Sequence, residues 1–247
     1  MGKGVVADVK WLTIDTSTST LGVGVVEEKT VIGELATHLK RHHSERLLPT
    51  INHLLSETHI SLCDLGGIAV VRGPGSYTGV RIGVTTAKIL AWSLKIPLVG
   101  VSSRAALSVN GRRFPGRLIP MWDARRERVY TGHYYFDREG HLRTIEEDRV
   151  TSVKDWALQL SEGEGSFLFL GNGSVEYRTL IQSQLKDRAV FATIEENTIR
   201  PSSVGRLALH KWESAGSDDI VRFAPEYLQV TEAESNWERR NRTIKNR

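Results

Sequence analysis

Residues 11–37 read WLTIDTSTSTLGVGVVEEKTVIGELAT, and their patterning decides the fold. Trp11 to Asp15 is strand-like, Leu21 to Glu27 alternates as LGVGVVE, and Val31 to Thr37 makes a third strand after the turn at Glu28-Lys29. Three short strands in succession predict an antiparallel meander. Leu47, Leu48, Ile51, Leu54 and Leu55 then share one helical stripe, with Pro49 in its first turns or at a kink. A strand over Gly67 to Val71, a Gly-rich turn, a helix from about Thr78 to Leu94 and a strand over Leu98 to Val101 follow.

The second half repeats this order. Leu118 to Asp123, Val129 to Phe136 and His141 to Ile145 predict another meander, Val153 to Leu160 a helix, Phe167 to Leu170 a strand and Ser174 to Leu185 a helix. Asp15 after Ile14 corresponds to Asp123 after Trp122, each closing the first strand of its meander. Element order therefore points to an internal duplication, βββαβα twice, in an α/β protein of two closely packed lobes. The lobes are expected over 1–110 and 111–222, with a C-terminal segment over 223–247. Within this, Ser202 to Ser214 predicts one more helix, capped by Ser202 or Ser203 behind Pro201.

Composition narrows the function. With 247 residues, 40% of them hydrophobic and 25% charged, the chain can build a real core, which excludes collagen, coiled coil and extended disorder. No apolar run reaches membrane-spanning length, the N-terminus lacks the apolar region of a secretory signal, and Val6 replaces the Ser or Thr of a myristoylation signal. A single cysteine, Cys63, cannot form an internal disulfide, and this favours a reducing cytoplasmic compartment. The net charge of +4 resides in residues 238–247, where Arg239, Arg240, Arg242, Lys245 and Arg247 face one glutamate. Such a tail either touches phosphates through counterion release or is a solvated terminus.

Chemistry-bearing motifs are few. Asp15-Thr16-Ser17-Thr18 ends a strand, where it either positions a metal, water or phosphate or makes an Asx turn. Gly73-Pro74-Gly75-Ser76-Tyr77-Thr78-Gly79 lies between strand and helix; Asp15, Thr16, Ser17, Gly73, Gly75, Ser76 and Gly79 are the candidate vestigial nucleotide or phosphate loop. The alternative is a tight turn requiring positive φ. The loop is not a Walker A motif, since no Lys-Ser/Thr follows Gly79, and Thr78 breaks the dinucleotide fingerprint. His38 and His42 have helical i, i+4 spacing, but Leu39 stands where a metalloprotease glutamate would be, and surface or interface histidines are the simpler reading. No GxSxG elbow is present, and Cys63 lacks a cationic activator. Gly171-Asn172-Gly173 occupies the second strand-to-helix slot, as a turn or as a close approach to a nucleotide. No catalytic residue, metal ligand set or cofactor is assigned, and nucleotide binding stays open.

Several segments together resemble the TsaB family, also called YeaZ. They are Ile14-Asp15-Thr16-Ser17, His43-Ser44-Glu45-Arg46-Leu47-Leu48-Pro49, Arg72 to Gly83 with its GPGSYTG core, Ala87-Lys88, Asp123-Ala124-Arg125-Arg126 and Pro225-Glu226-Tyr227-Leu228. The resemblance runs from about residue 11 to 234. It implies a fold similar to actin, sugar kinases and heat-shock chaperone ATPases. It also implies a noncatalytic dimerisation and activation subunit that partners a TsaD-like catalytic subunit and a TsaE-like P-loop ATPase. The product is a threonylcarbamoyl group on the adenosine beside the anticodon of tRNAs reading A-starting codons. TsaD-like proteins carry a metal-binding histidine pair after the strand following this helix, whereas Val101-Ser102-Ser103-Arg104-Ala105-Ala106-Leu107 has none. The alternative from another class is a stand-alone actin-like ATPase or small-molecule kinase; a peptidase lacks both metal ligands and nucleophile.

The helix from Val80 to Leu94 is apolar around most of its circumference, with Arg81, Thr85 and Lys88 as a narrow polar stripe. Leu47, Leu48, Ile51, Leu54 and Leu55 with Val80, Gly83, Val84, Ala87 and Ala91 are therefore expected to form a patch for helix pairing with another subunit, a homodimer being left open. The alternative is an intramolecular core.

Overall fold

A computed structural model describes residues 9–39 and 42–227. The first sheet contains β1 (Lys10–Asp15), β2 (Thr20–Val26), β3 (Val31–His38), β4 (Leu65–Gly73) and β5 (Leu98–Ser102), in the order β3-β2-β1-β4-β5. The second contains β6 (Arg117–Asp123), β7 (Arg128–Phe136), β8 (Leu142–Ser152), β9 (Phe167–Leu170) and β10 (Ala189–Phe191), in the order β10-β9-β6-β7-β8. Read from the meander side, the two orders are the same. β1 pairs antiparallel with β2 and parallel with β4, and β6 pairs likewise with β7 and β9. The duplication read from element order is thus present in strand connectivity, the actin-like arrangement, with a closing strand in each half that the βββαβα shorthand omits.

Helices cover the sheets: α1 (His43–Glu57), α2 (Tyr77–Leu94), α3 (Ser103–Ser108), α4 (Val153–Glu162), α5 (Asn172–Glu176), α6 (Arg178–Leu185) and α7 (Pro201–Ala215). The central strands are buried on both faces, which is why β1, β2 and β4 are nearly continuous in apolar residues. Gly22 and Gly24 leave room on β2 for Pro201 of α7, since a Cβ on Gly24 would lie 2.8 Å from that proline ring. Trp11 meets Trp212 of α7 with ring centroids 5.4 Å apart.

α7 therefore packs on the first sheet, although it lies within the 111–222 segment expected to be the second lobe. Residues 218–223 follow it. Asp218 accepts the Gly100 amide at 2.8 Å and donates its own to Leu98, which covers the β5 edge. Phe223 joins the same buried core as Ala87 and Ala91.

Several local expectations need correction. β8 runs to Ser152 rather than Ile145; its charged residues conceal a strand that shifts register at His133. Ser174 to Leu185 is two helices, interrupted at Tyr177. α7 starts at Pro201, with Arg200 as the cap residue and no serine side-chain cap. Its first turn is held instead by Glu34 of β3, which accepts the Ser202 amide at 3.0 Å and pairs with Arg200. His38 ends β3 and His42 precedes α1 in the left-handed region (φ 74°), so they do not share a helix face.

The ten residues expected at a subunit patch divide sharply. Leu47, Ile51, Leu54, Leu55, Val80, Gly83, Val84, Ala87 and Ala91 are buried within the chain, whereas Leu48 is 53% exposed. The chain itself covers the surplus apolar arc: the first sheet on one side and the Ile220 to Phe223 segment on the other, with Lys88 Nζ donating to the Val221 and Phe223 carbonyls. The solvent sides of α1 and α2 instead carry Leu48, Ile89 and Trp92. Among the described residues no helix is long and apolar enough to cross a membrane.

Candidate functional site

The end of β1 and the start of α2 meet over the GPGSYTG turn. Asp15 is fully buried, and its Oδ1 accepts the Ser17 amide at 2.8 Å and the Ser17 hydroxyl at 2.7 Å. Its Oδ2 has no hydrogen-bond partner among the described residues. Burial pushes the Asp15 carboxyl up to about 6, against the lowering effect of the Ser17 bonds and His43.

Thr16 Oγ1 donates to the Gly79 carbonyl at 2.7 Å, and the Ser76 amide donates to the Ser17 carbonyl at 2.7 Å. A Cβ on Gly75 would lie 2.2 Å from Ser17 O, and one on Gly79 would lie 2.1 Å from Thr16 O. These glycines admit close backbone approach to the β1 turn. The Gly79 amide is also taken, by Ser76 Oγ at 3.3 Å. Gly73 has φ 118°, and a Cβ there would meet the Glu226 carbonyl at 2.5 Å. The loop residues singled out from sequence thus do converge, around a turn that spends amides on itself.

The second lobe presents the equivalent corner. Asp123 Oδ1 accepts the Arg125 amide at 2.8 Å and the Tyr177 hydroxyl at 2.9 Å, and the Asp123 amide donates to Asn172 at 3.3 Å. Desolvation and Asp123 push the Tyr177 phenol up to about 12. Gly171 takes φ 92° where a Cβ would meet the Met121 carbonyl at 2.4 Å, which accounts for the first glycine of GNG.

Between the corners lies a cleft of about 980 Å³. One wall is Ser17 to Thr20, His43 and Pro74 to Gly79; the other includes Trp122 to Arg125, Tyr130 and Asn172. Arg104 of α3 borders it and is 1% exposed, with Nε 3.0 Å from Asp148 Oδ1. Asp148 also accepts the Tyr134 hydroxyl, and the Ser102 hydroxyl at 2.5 Å. Sequence reasoning missed this group. The lone arginine in VSSRAAL was its visible half, while Asp148 is hidden among the charges of β8.

His38, His42 and His43 join no metal-ligand group among the described residues. His43 Nε2 meets the Thr18 carbonyl at 2.8 Å, and His38 lies against Ser19 and Thr20. No recognised ligand spacing was evident in sequence, yet one trio converges: Asp137, Glu139 and His141 place ligand atoms within 4.8 Å of one another at the β7–β8 turn. Arg143 Nε already occupies Asp137 at 2.6 Å.

The family model described as TsaD, tRNA N6-adenosine threonylcarbamoyltransferase, matches residues 30–237. A Bacillus subtilis protein named tRNA threonylcarbamoyladenosine biosynthesis protein TsaB is 42% identical over 92% of this chain and 96% of its own length. The Escherichia coli protein of that name is 32% identical over 66% of this chain and 71% of its own length. Among solved structures, YeaZ from Pseudomonas aeruginosa superposes with a TM-score of 0.75 at 26% identity, over 89% of this chain and all of that one. Another, from the same organism and described as similar to the peptidase YEAZ, gives 0.77 at 27% over 90% of this chain and all of that one. With the duplicated topology, the two paired corners and these likenesses together, the chain belongs to the TsaB (YeaZ) family.

Proposed function

We propose that the chain acts in tRNA threonylcarbamoyladenosine biosynthesis as a noncatalytic subunit that docks on a TsaD-like transferase. The role in this pathway rests on the relatives named TsaB and the match to the TsaD family model. The noncatalytic assignment rests on the slot after β5. Ser102, Ser103 and Arg104 stand where the resemblance puts metal-binding histidines in TsaD-like proteins, and the Arg104 guanidinium is tied to Asp148. A cation in that slot repels a metal ion rather than holding it.

Partner docking is assigned to the outward faces of α1 and α2, where Leu48, Ile89 and Trp92 are exposed at 53%, 58% and 73%. The same surface serves a second copy of the chain when the TsaD-like subunit is absent. A TsaE-like P-loop ATPase completes the assembly in the cytoplasm. tRNA is met through the TsaD-like subunit or through residues 238–247, which lie outside the described residues. The stand-alone ATPase or kinase reading is disfavoured because the Ser76 and Gly79 amides are consumed within the chain.

The test is co-purification with a TsaD-like subunit, followed by threonylcarbamoyl transfer with each protein omitted in turn. Transfer should need this chain; full transfer without it overturns the proposal.

A further inference from the structure

We infer that Arg104 anchors the phosphate or carboxylate of a small molecule in the cleft between the lobes. The site stands independently of the docking role, because every residue it uses belongs to this chain.

Arg104 Nη2 is buried and has no hydrogen-bond partner among the described residues. A guanidinium is a rigid fork of donors, and leaving a buried charged donor without an acceptor is costly. The cost is not removed by Asp148. That carboxylate is divided among Arg104 Nε, the Tyr134 hydroxyl and the Ser102 hydroxyl, so it neutralises one edge of the guanidinium only. Next to the guanidinium lie aromatic faces, with the Trp122 and Tyr130 ring centroids 5.8 Å and 5.9 Å from Arg104 Cζ. Ring faces satisfy charge but accept no in-plane hydrogen bond.

The charged lining of the cleft is Arg104 and Arg125 against Asp123, and Asp123 already accepts from Tyr177 and Arg125. With Asp148 behind Arg104 counted, the charges at the cleft balance, so the draw on an anion is the open Nη2 edge and not a net positive field. The opposite wall is rich in hydroxyls, from Ser17, Thr18, Ser76 and Thr78. A volume of about 980 Å³ accommodates a nucleotide or an amino-acid derivative. Such a guest would put its oxyanion on Nη2 and its uncharged part against Trp122 and Tyr130. Because Arg104 is 1% exposed, one of those rings must turn to admit the anion, and tryptophan fluorescence should change on binding.

The experiment is calorimetric titration of the full chain with two matched pairs: AMP against adenosine, and threonine against threonine amide. The expected result is that one charged member binds roughly tenfold or more tightly than its uncharged analogue, with a fluorescence change. AMP as the binder assigns a phosphate, and threonine a carboxylate. Arg104→Lys keeps a cation for Asp148 but loses the fork, and should weaken the charged ligand roughly tenfold while leaving the uncharged one unchanged. Should that variant melt early, Arg104→Met with Asp148→Asn removes both charges together. The inference is overturned if charged and uncharged members bind alike, if a folded Arg104 variant binds like the parent, or if nothing binds at millimolar concentration, in which case Nη2 is satisfied by water.

Discussion

Asp15 holds its proton more tightly when folded than when unfolded, with a carboxyl raised from 3.8 to about 6 by burial. Between about pH 4 and pH 6 the folded state therefore carries a proton that the unfolded state has lost. Stability should fall as pH rises through this window, by about 3 kcal/mol in all, and level off above it. Asp15→Asn retains an acceptor for Ser17 and should flatten this slope; thermal melts across pH 4 to 8 that keep the slope would assign it elsewhere. Gly79 makes a sterner point. A methyl group there meets the Thr16 carbonyl at 2.1 Å, so Gly79→Ala should cost several kcal/mol in urea denaturation. That glycine was legible as part of a loop, but its purpose was not. The sequence leaves an anion loop and a tight turn of positive φ both open, whereas what Gly79 supplies is space against the turn after β1.

Among elements, the α1–α2 pair separates core from surface most clearly. Ile51→Glu puts a charge at a position 1% exposed and should unfold the first lobe, seen as lost helicity. Leu48→Glu, together with Trp92→Glu, lies on the solvent side and should leave circular dichroism unchanged while abolishing co-purification with the partner. Glu34→Gln tests the cross-element cap of α7. Glu34 is held below its ordinary range, against the opposing effect of burial, by its bonds to Ser202 and Arg200, and its loss should cost about 1 kcal/mol. β1, β2 and β4 were readable because burial on both faces enforces unbroken apolar runs. β8 was not, since its half-exposed faces leave no such pattern, and β10 has three residues only. The apolar circumference of α2 was legible, but whether a partner or the chain's own core covers it was left open. What covers it, Phe223 and its neighbours, is some 130 residues away in sequence, too far for any local pattern to announce.

Across the whole molecule, the repeat of strand order was recoverable because each half must solve the same burial problem, while the lobe boundary was not, because α7 crosses back. If the basic tail adds only diffuse phosphate attraction, removing residues 238–247 should weaken tRNA binding in a salt-dependent manner and leave partner association intact, as read by filter binding at two ionic strengths. The return of α7 has a consequence for how the protein is made. β1 to β5 leave the ribosome early, yet Pro201, Gly205 and Trp212 supply one face of their sheet. At about 5–20 residues per second, the remaining hundred or so residues take roughly 5 to 20 s to synthesise. For that interval the nascent first lobe has an uncovered apolar side, and a stop codon anywhere before α7 would release a chain that chaperones and proteases treat as unfinished, however complete its first repeat.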